Sequence, residues 1–188
     1  YVLILSGDHI YKMDYDKMLK AHKEAGAACT IACMEVPLKE ASRFGILNTN
    51  PDGTIYEFEE KPAKPKSNLA SMGIYIFSAD KLYKYLELDE EDPKSENDFG
   101  KNVLPAMLNA GEKMFSYRFE GYWKDVGTIS SLLEANMDLL GVTPKFDLDD
   151  QDHVIHSRSP LSPPAYVEGD VLNSLVANGC EIEGKIVN

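Results

Sequence analysis

Hydrophobic positions along this chain form short unbroken runs separated by stretches with helical spacing. Residues 1–5 (YVLIL) are continuously apolar, the pattern of a central parallel strand covered on both faces. A chain that opens inside such an element predicts further residues upstream. Ser6-Gly7-Asp8 ends the run. Asp14 then stands at the N-cap of a helix with Tyr15, Met18, Leu19 and His22 on one face, and Gly26 closes it. Residues 29–36 form the next strand. Strand, helix and strand predict a βαβ unit with a right-handed crossover in a parallel sheet.

Beyond Pro37 the pattern changes to hairpin spacing. Residues 44–49 and 54–58 flank Asn50-Pro51-Asp52-Gly53, a strong turn signal. A Pro/Lys/Ser loop follows Glu59-Glu60-Lys61-Pro62 and leads to an apolar strand over 70–77. A short helix capped by Ser78 is expected over 79–86, an acidic loop over 87–98, and a helix entered from Asp98 over 99–110. Residues 114–119 alternate as a strand ending at Gly121-Tyr122-Trp123-Lys124-Asp125-Val126-Gly127. Thr128 caps an amphipathic helix over 129–140, stopped by Gly141. Residues 1–141 therefore read as α/β, with a mostly parallel, mixed sheet.

The remainder differs. Residues 142–164 carry clustered acidic side chains and prolines at 144, 160, 163 and 164, the composition of an interdomain linker. Over 165–188, Val176 and Ile182 lie six apart, each followed closely by Gly or Asn. That period fits the start of a parallel β-helix, which needs about three repeats for stability.

Composition narrows the function. With 19 Lys+Arg against 31 Asp+Glu the formal charge is −12, which disfavours a nucleic-acid binder but not a small anion held by a few cations. No apolar run approaches the roughly 18–20 residues of a membrane helix, so no membrane partner is expected. Cys29, Cys33 and Cys180 suit a reducing cytoplasm better than a disulfide framework. On a strand, Cys29 and Cys33 would lie roughly 13 Å apart, too far to share a metal, and read as buried small hydrophobes.

Asp8, directly after the first strand, is placed where ligands of open α/β sheets sit. It suits a divalent cation held against a phosphate, or equally a brace for the loop. Asp125 has a similar context and could share the ion, or simply support the helix that follows. Lys61 offers an ammonium for a phosphate and Glu60 a carboxylate for hydroxyls, although a charged pair at a strand end is commonly just solvated. Gly45 and Gly73 interrupt apolar strands and mark a close approach or a bulge. Asp147-x-Asp149-x-Gln151 imitates a calcium loop but has Asp152 and Arg158 where Gly and Glu are required. The four histidines, His9, His22, His153 and His156, show no ligand spacing.

Six segments together carry a resemblance: SGDHIYKMDY (6–15), RFGI (43–46), FEEKP (58–62), ASMGIY (70–75), DFGKN (98–102) and GYWKDVGT (121–128). In this order they closely resemble bacterial ADP-glucose pyrophosphorylases, also called glucose-1-phosphate adenylyltransferases. The resemblance implies a Rossmann-like (GT-A-like) nucleotidyltransferase domain followed by a left-handed parallel β-helix. It also implies the reaction of ATP with α-glucose 1-phosphate to give ADP-glucose and diphosphate, in glycogen synthesis by a cytoplasmic, allosteric tetramer. By matching motifs, Asp8 and Asp125 would hold Mg²⁺, with Lys61 on the sugar phosphate and Gly45, Glu60 and Ser71 completing the glucose 1-phosphate site. The family's glycine-rich G-G-x-G-x-R-L segment has no counterpart here, so the expectation is a chain carrying the sugar-phosphate and metal side without turnover by itself. Two alternatives remain: a non-catalytic regulatory subunit of the same assembly, and a transferase making UDP- or dTDP-glucose.

Overall fold

The computed structural model describes the chain except residues 142, 149, 151, 153, 157–161 and 188. Two compact units emerge, one formed by Tyr1–Gly7 with Met13–Glu120, the other by Asp8–Lys12 with Gly121–Asn188.

The first unit is a six-stranded mixed sheet. Its strands are β1 (Val2–Ile4), β3 (Cys29–Glu35), β4 (Gly45–Thr49), β5 (Ile55–Glu60), β6 (Leu69–Phe77) and β7 (Met114–Arg118); β2 (His9–Tyr11) belongs to the second unit. The order is β5-β4-β6-β3-β7, with β1 pairing β6 beside β4. The sheet is less parallel than its sequence implies, because β3–β7 is its one parallel pairing among the described strands. β6 lies between β1 and β3 and is antiparallel to both, Phe77 facing Val2 on one side and Cys29 on the other. The βαβ unit survives in direction, but a later strand has been inserted into its middle. β1 is correspondingly not a doubly covered central strand: Leu3 is 40% exposed and Tyr1 64%.

Helix α1 (Tyr15–Ala25) follows its sequence signals closely. The Asp14 carboxylate accepts from the amides of Asp16 and Lys17, and Gly26 closes the helix at φ 58°. Met18 and His22 are buried on its inner face. His22 Nδ1 lies 2.8 Å from Thr30 Oγ1 and Nε2 3.2 Å from Ser78 Oγ, so its polar atoms are satisfied in the core. Those contacts also correct the expected Ser78 cap. The hydroxyl donates to the Ala27 carbonyl instead and makes no capping bond to helix α3 (Ala79–Glu91). α3 is longer than the sequence indicates, since Glu87–Glu91 continues it; Glu and Leu are good helix formers even on an exposed face.

After the short helix α2 (Leu38–Ala41), the β4–β5 hairpin turns through Gly53 at φ 85°, with the Asn50 amide bonded to the Thr54 carbonyl. A single π-helical turn (Phe99–Val103) leads into α4 (Leu104–Asn109), and the Asp98 carboxylate receives the Lys101 amide at 2.9 Å. The core gathers Ile31, Leu47, Phe77, Leu104, Met107 and Met114 between sheet and helices, each such burial contributing about 1.5–3 kcal/mol. Cys29 and Cys33 are buried in β3, whereas Cys180 is exposed. Burial pushes both β3 thiols above their ordinary value, Cys33 to about 12.

The second unit starts from a ribbon that sequence reading misses: β2 (His9–Tyr11) pairs antiparallel with β8 (Trp123–Asp125). Tyr122 stacks on Phe146 with centroids 4.9 Å apart, and Lys12 Nζ lies over the same ring. Thr128 and Ser131 form a reciprocal capping box at the start of α5 (Ile129–Met137), which ends three residues earlier than expected. β9 (Tyr166–Leu172) and β10 (Glu181–Val187) pair in parallel. Val176 falls in the connection between them, not on a strand. The expected linker and calcium-loop positions 149, 151, 153 and 158 lie outside the described residues.

Candidate functional site

Two clusters contain the residues singled out in the sequence, one on each unit. The β2–β8 ribbon builds the first. Its register sets His9 opposite Asp125, and Asp8 stands one residue before β2. Ligand atoms of Asp8, His9 and Asp125 all lie within 4.8 Å of one another. The backbone fixes both aspartates: the Asp8 carbonyl accepts from the Val126 amide at 3.1 Å, and Asp125 Oδ1 accepts from the Gly127 amide at 2.9 Å. Asp125 thus does brace the turn into α5, using one of its two oxygens. Gly127 keeps the adjoining space open, since a β-carbon there would stand 3.2 Å from Asp125 Oδ1 and 3.8 Å from Asp8 Oδ2. Paired carboxylate oxygens with room beside them fit a hard divalent cation such as Mg²⁺.

His9 stands beside the two carboxylates, a neighbourhood that the histidine spacing does not indicate. Its Nε2 is 3.6 Å from Asp8 Oδ1, and its Nδ1 accepts from Trp123 Nε1 at 3.3 Å. Spacing among histidines could not reveal this, because the juxtaposition comes from pairing with a strand over a hundred residues away. Adjacency to Asp8 was the one available signal.

The second cluster lies on the first unit, at the end of the β4–β5 hairpin. Gly45 and Glu60 face one another in register. A β-carbon on Gly45 would collide with the Phe58 ring edge and approach Glu60 Oε2, and one on Gly100 would come within 2.6 Å of the same oxygen. Glycine at both positions is therefore what admits the Glu60 carboxylate. Burial pushes that carboxyl above its ordinary value; Lys61 opposes the shift and Asp98 adds to it. Lys61 Nζ is 3.7 Å from Glu60 Oε1 and its side chain is largely exposed, while its backbone takes a positive φ of 45°. That conformation is uncommon outside glycine and costs of order 1 kcal/mol or more.

Ser71 is buried in β6, where its Oγ accepts from the Gly73 amide at 3.2 Å. Gly73 has φ 66° at the point where the β3–β6 register shifts, which identifies it as a bulge. Tyr75 links these residues. Burial pushes its phenol up to about 12, a hydrogen bond with Ser71 opposes this, and the fields of Glu60 and Asp98 add to it. The structure thus brings Gly45, Glu60 and Lys61 together and ties Ser71 to them through Tyr75. The sequence assigns no individual role to Tyr75 or Gly100, and to Asp98 only that of opening a helix, although ASMGIY and DFGKN contain them.

A family model described as "Nucleotidyl transferase" matches residues 1–141. The chain belongs to the nucleotidyl transferase family. Among similar proteins, a glucose-1-phosphate adenylyltransferase of Clostridium botulinum (strain Alaska E43 / Type E3) is 60% identical over 190 residues, covering 100% of this chain and 49% of the relative. Those of Clostridium perfringens (strain SM101 / Type A) and Desulforamulus reducens are 58% and 59% identical, covering 100% and 99% of the chain and 49% and 47% of themselves. The chain spans about half the length of the curated relatives it matches. For a nucleotidyl transferase, a mixed sheet flanked by helices is the Rossmann-like arrangement, and both clusters fall within the matched residues. Among the described residues, no helix is long and apolar enough to cross a membrane.

Proposed function

We propose that the protein containing this chain is a glucose-1-phosphate adenylyltransferase, transferring the adenylyl group of ATP to α-glucose 1-phosphate and releasing diphosphate. The observation that supports this most is the convergence of the Asp8 and Asp125 carboxylates beside Gly127, in a family of nucleotidyl transferases whose similar members carry that name. A regulatory subunit without catalysis would not need such a pair.

The residues divide the work. Lys61 would bind the sugar phosphate as a mobile point charge. Glu60 would accept from glucose hydroxyls, its glycine-lined pocket fixing the direction of approach. Ser71 and the backbone at Gly45 would complete the glucose 1-phosphate site, with Tyr75 holding the Ser71 hydroxyl in place. Asp8 and Asp125 would hold Mg²⁺, which when bound supplies charge neutralisation for phosphate oxygens in an in-line displacement. The protein's own contribution is mainly positioning and electrostatics, without a covalent intermediate.

Residues 1–141 are assigned in this reading to the transferase domain, 142–164 to a linker, and 165–188 to the opening of a β-helix. The parallel β9–β10 ladder supports the last assignment. A role in glycogen synthesis, allosteric control, tetrameric assembly and a cytoplasmic location follow only through the resemblance.

The test is ADP-glucose synthesis by a protein of the relatives' full length containing this chain, assayed with ATP and UTP, with Asp125→Asn alongside. Preference for ATP and a loss of at least about tenfold in the variant are expected. Preference for UTP would overturn the substrate assignment, and an unimpaired variant would remove Asp125 from the metal site.

A further inference from the structure

The ribbon cluster presents three candidate ligands, but the hydrogen-bond chemistry around His9 separates it from the other two. We infer that His9 is a positioning residue that directs its protonated Nε2 at Asp8, so that the ion site is all-oxygen and excludes the imidazole. This inference rests on the metal reading of Asp8 and Asp125 given above.

The argument begins at Trp123. An indole Nε1–H can donate and has no lone pair to accept with. It points at His9 Nδ1 across 3.3 Å, with the two rings edge-to-face at 89° and centroids 5.3 Å apart. Nδ1 must therefore present its lone pair. In a neutral imidazole that assigns the single ring proton to Nε2. The other tautomer would set two N–H groups against each other.

Nε2 lies 3.6 Å from Asp8 Oδ1. Carrying a proton, it has no lone pair for a cation. Its N–H dipole favours the Asp8 carboxylate electrostatically, although 3.6 Å exceeds an ordinary hydrogen bond. The imidazole is also held in place, since its side chain is only 12% exposed and the β2–β8 register fixes its backbone opposite Asp125. An imidazole free to ligate would favour Zn²⁺ and other nitrogen-seeking metals, whereas carboxylates and water suit Mg²⁺ and Mn²⁺. Trp123 therefore sets the metal preference of two carboxylates through a ring nitrogen it never lets turn.

The experiment uses a protein of the relatives' full length containing this chain, labelled with ¹⁵N-histidine, and Mn²⁺ and Zn²⁺ as probes. Without metal, the His9 resonances are expected to report an unprotonated Nδ1 and a protonated Nε2; the opposite tautomer overturns the inference. With Mn²⁺ bound, pulsed electron paramagnetic resonance should show no ¹⁴N coupling from directly ligated imidazole, and such a coupling overturns it. His9→Gln should change Mn²⁺ affinity by less than about threefold, while any larger loss would make His9 a ligand and overturn the inference. Trp123→Phe removes the N–H but keeps an aromatic ring; it should mix the tautomers and raise Zn²⁺ affinity about tenfold or more. Unchanged tautomer and Zn²⁺ affinity in that variant would refute the role given to Trp123. A chain that binds no Mn²⁺ at all would refute the metal reading of the aspartates, while the metal-free tautomer still decides the positioning claim.

Discussion

Glu60 keeps a quarter of its side chain exposed and Asp8 more than half, and this difference in solvation separates the two clusters chemically. Around Glu60, glycines at 45 and 100 let a carboxylate enter a pocket that raises its affinity for protons. Around Asp8 the backbone holds two carboxylates at a more open surface. The first arrangement suits recognition of neutral hydroxyls, where a partly desolvated acceptor gains strength; the second suits a hydrated cation that keeps several waters. Similar side chains are thus suited to different tasks by how much water they retain.

The comparison can be broken most forcefully at the glycines. Gly45→Ala should cost about 1–3 kcal/mol of unfolding free energy in urea, because its β-carbon meets the Phe58 ring edge in a packed strand. Gly100→Ala confronts chiefly the movable end of Glu60, with Asp98 Oδ1 at an ordinary 3.4 Å. It should leave stability nearly unchanged yet weaken glucose 1-phosphate binding about tenfold or more by calorimetry. Equal effects from both would show that the pocket is not shaped around that carboxylate.

At the ribbon, Asp125→Asn should weaken Mn²⁺ binding at least about tenfold while the melting temperature stays put, since an amide oxygen can still receive the Gly127 N–H. Thr128→Ala removes the capping box and should cost about 1 kcal/mol in chemical unfolding of the second unit.

The subtlest effect concerns pH. Glu60 has its folded value raised above the ordinary 4.5, so the folded state binds this proton more tightly than the unfolded one. Its contribution to stability is therefore full below the unfolded value and is lost as pH rises through the folded one. Glu60→Gln should accordingly raise the melting temperature at pH 7 and lose that advantage towards pH 4. A constant difference across the range would mean that the carboxyl is not desolvated.

Much of the first unit was legible because its signals are local. Asp14 and Gly26 bound α1 through their own cap chemistry, and Asn50–Gly53 dictates its hairpin. What escaped was non-local. The insertion of β6 between β1 and β3 leaves no trace in either strand's periodicity, and strands as short as β2 and β8 have none to show. The site followed the same division. Asp8, Asp125, Glu60 and Lys61 stand out at strand ends, but His9, Tyr75 and Gly100 acquire meaning only from the partners that folding brings to them.

The burial of β3 has a practical consequence. Thiolate is the form that reacts with alkylating reagents, and the high values of Cys29 and Cys33 leave almost none of it while the sheet is closed. Cys180 stands exposed on the other unit. A single labelling time course should therefore resolve into a prompt step at Cys180 and a slow one at β3, the slow step timing how often the sheet opens.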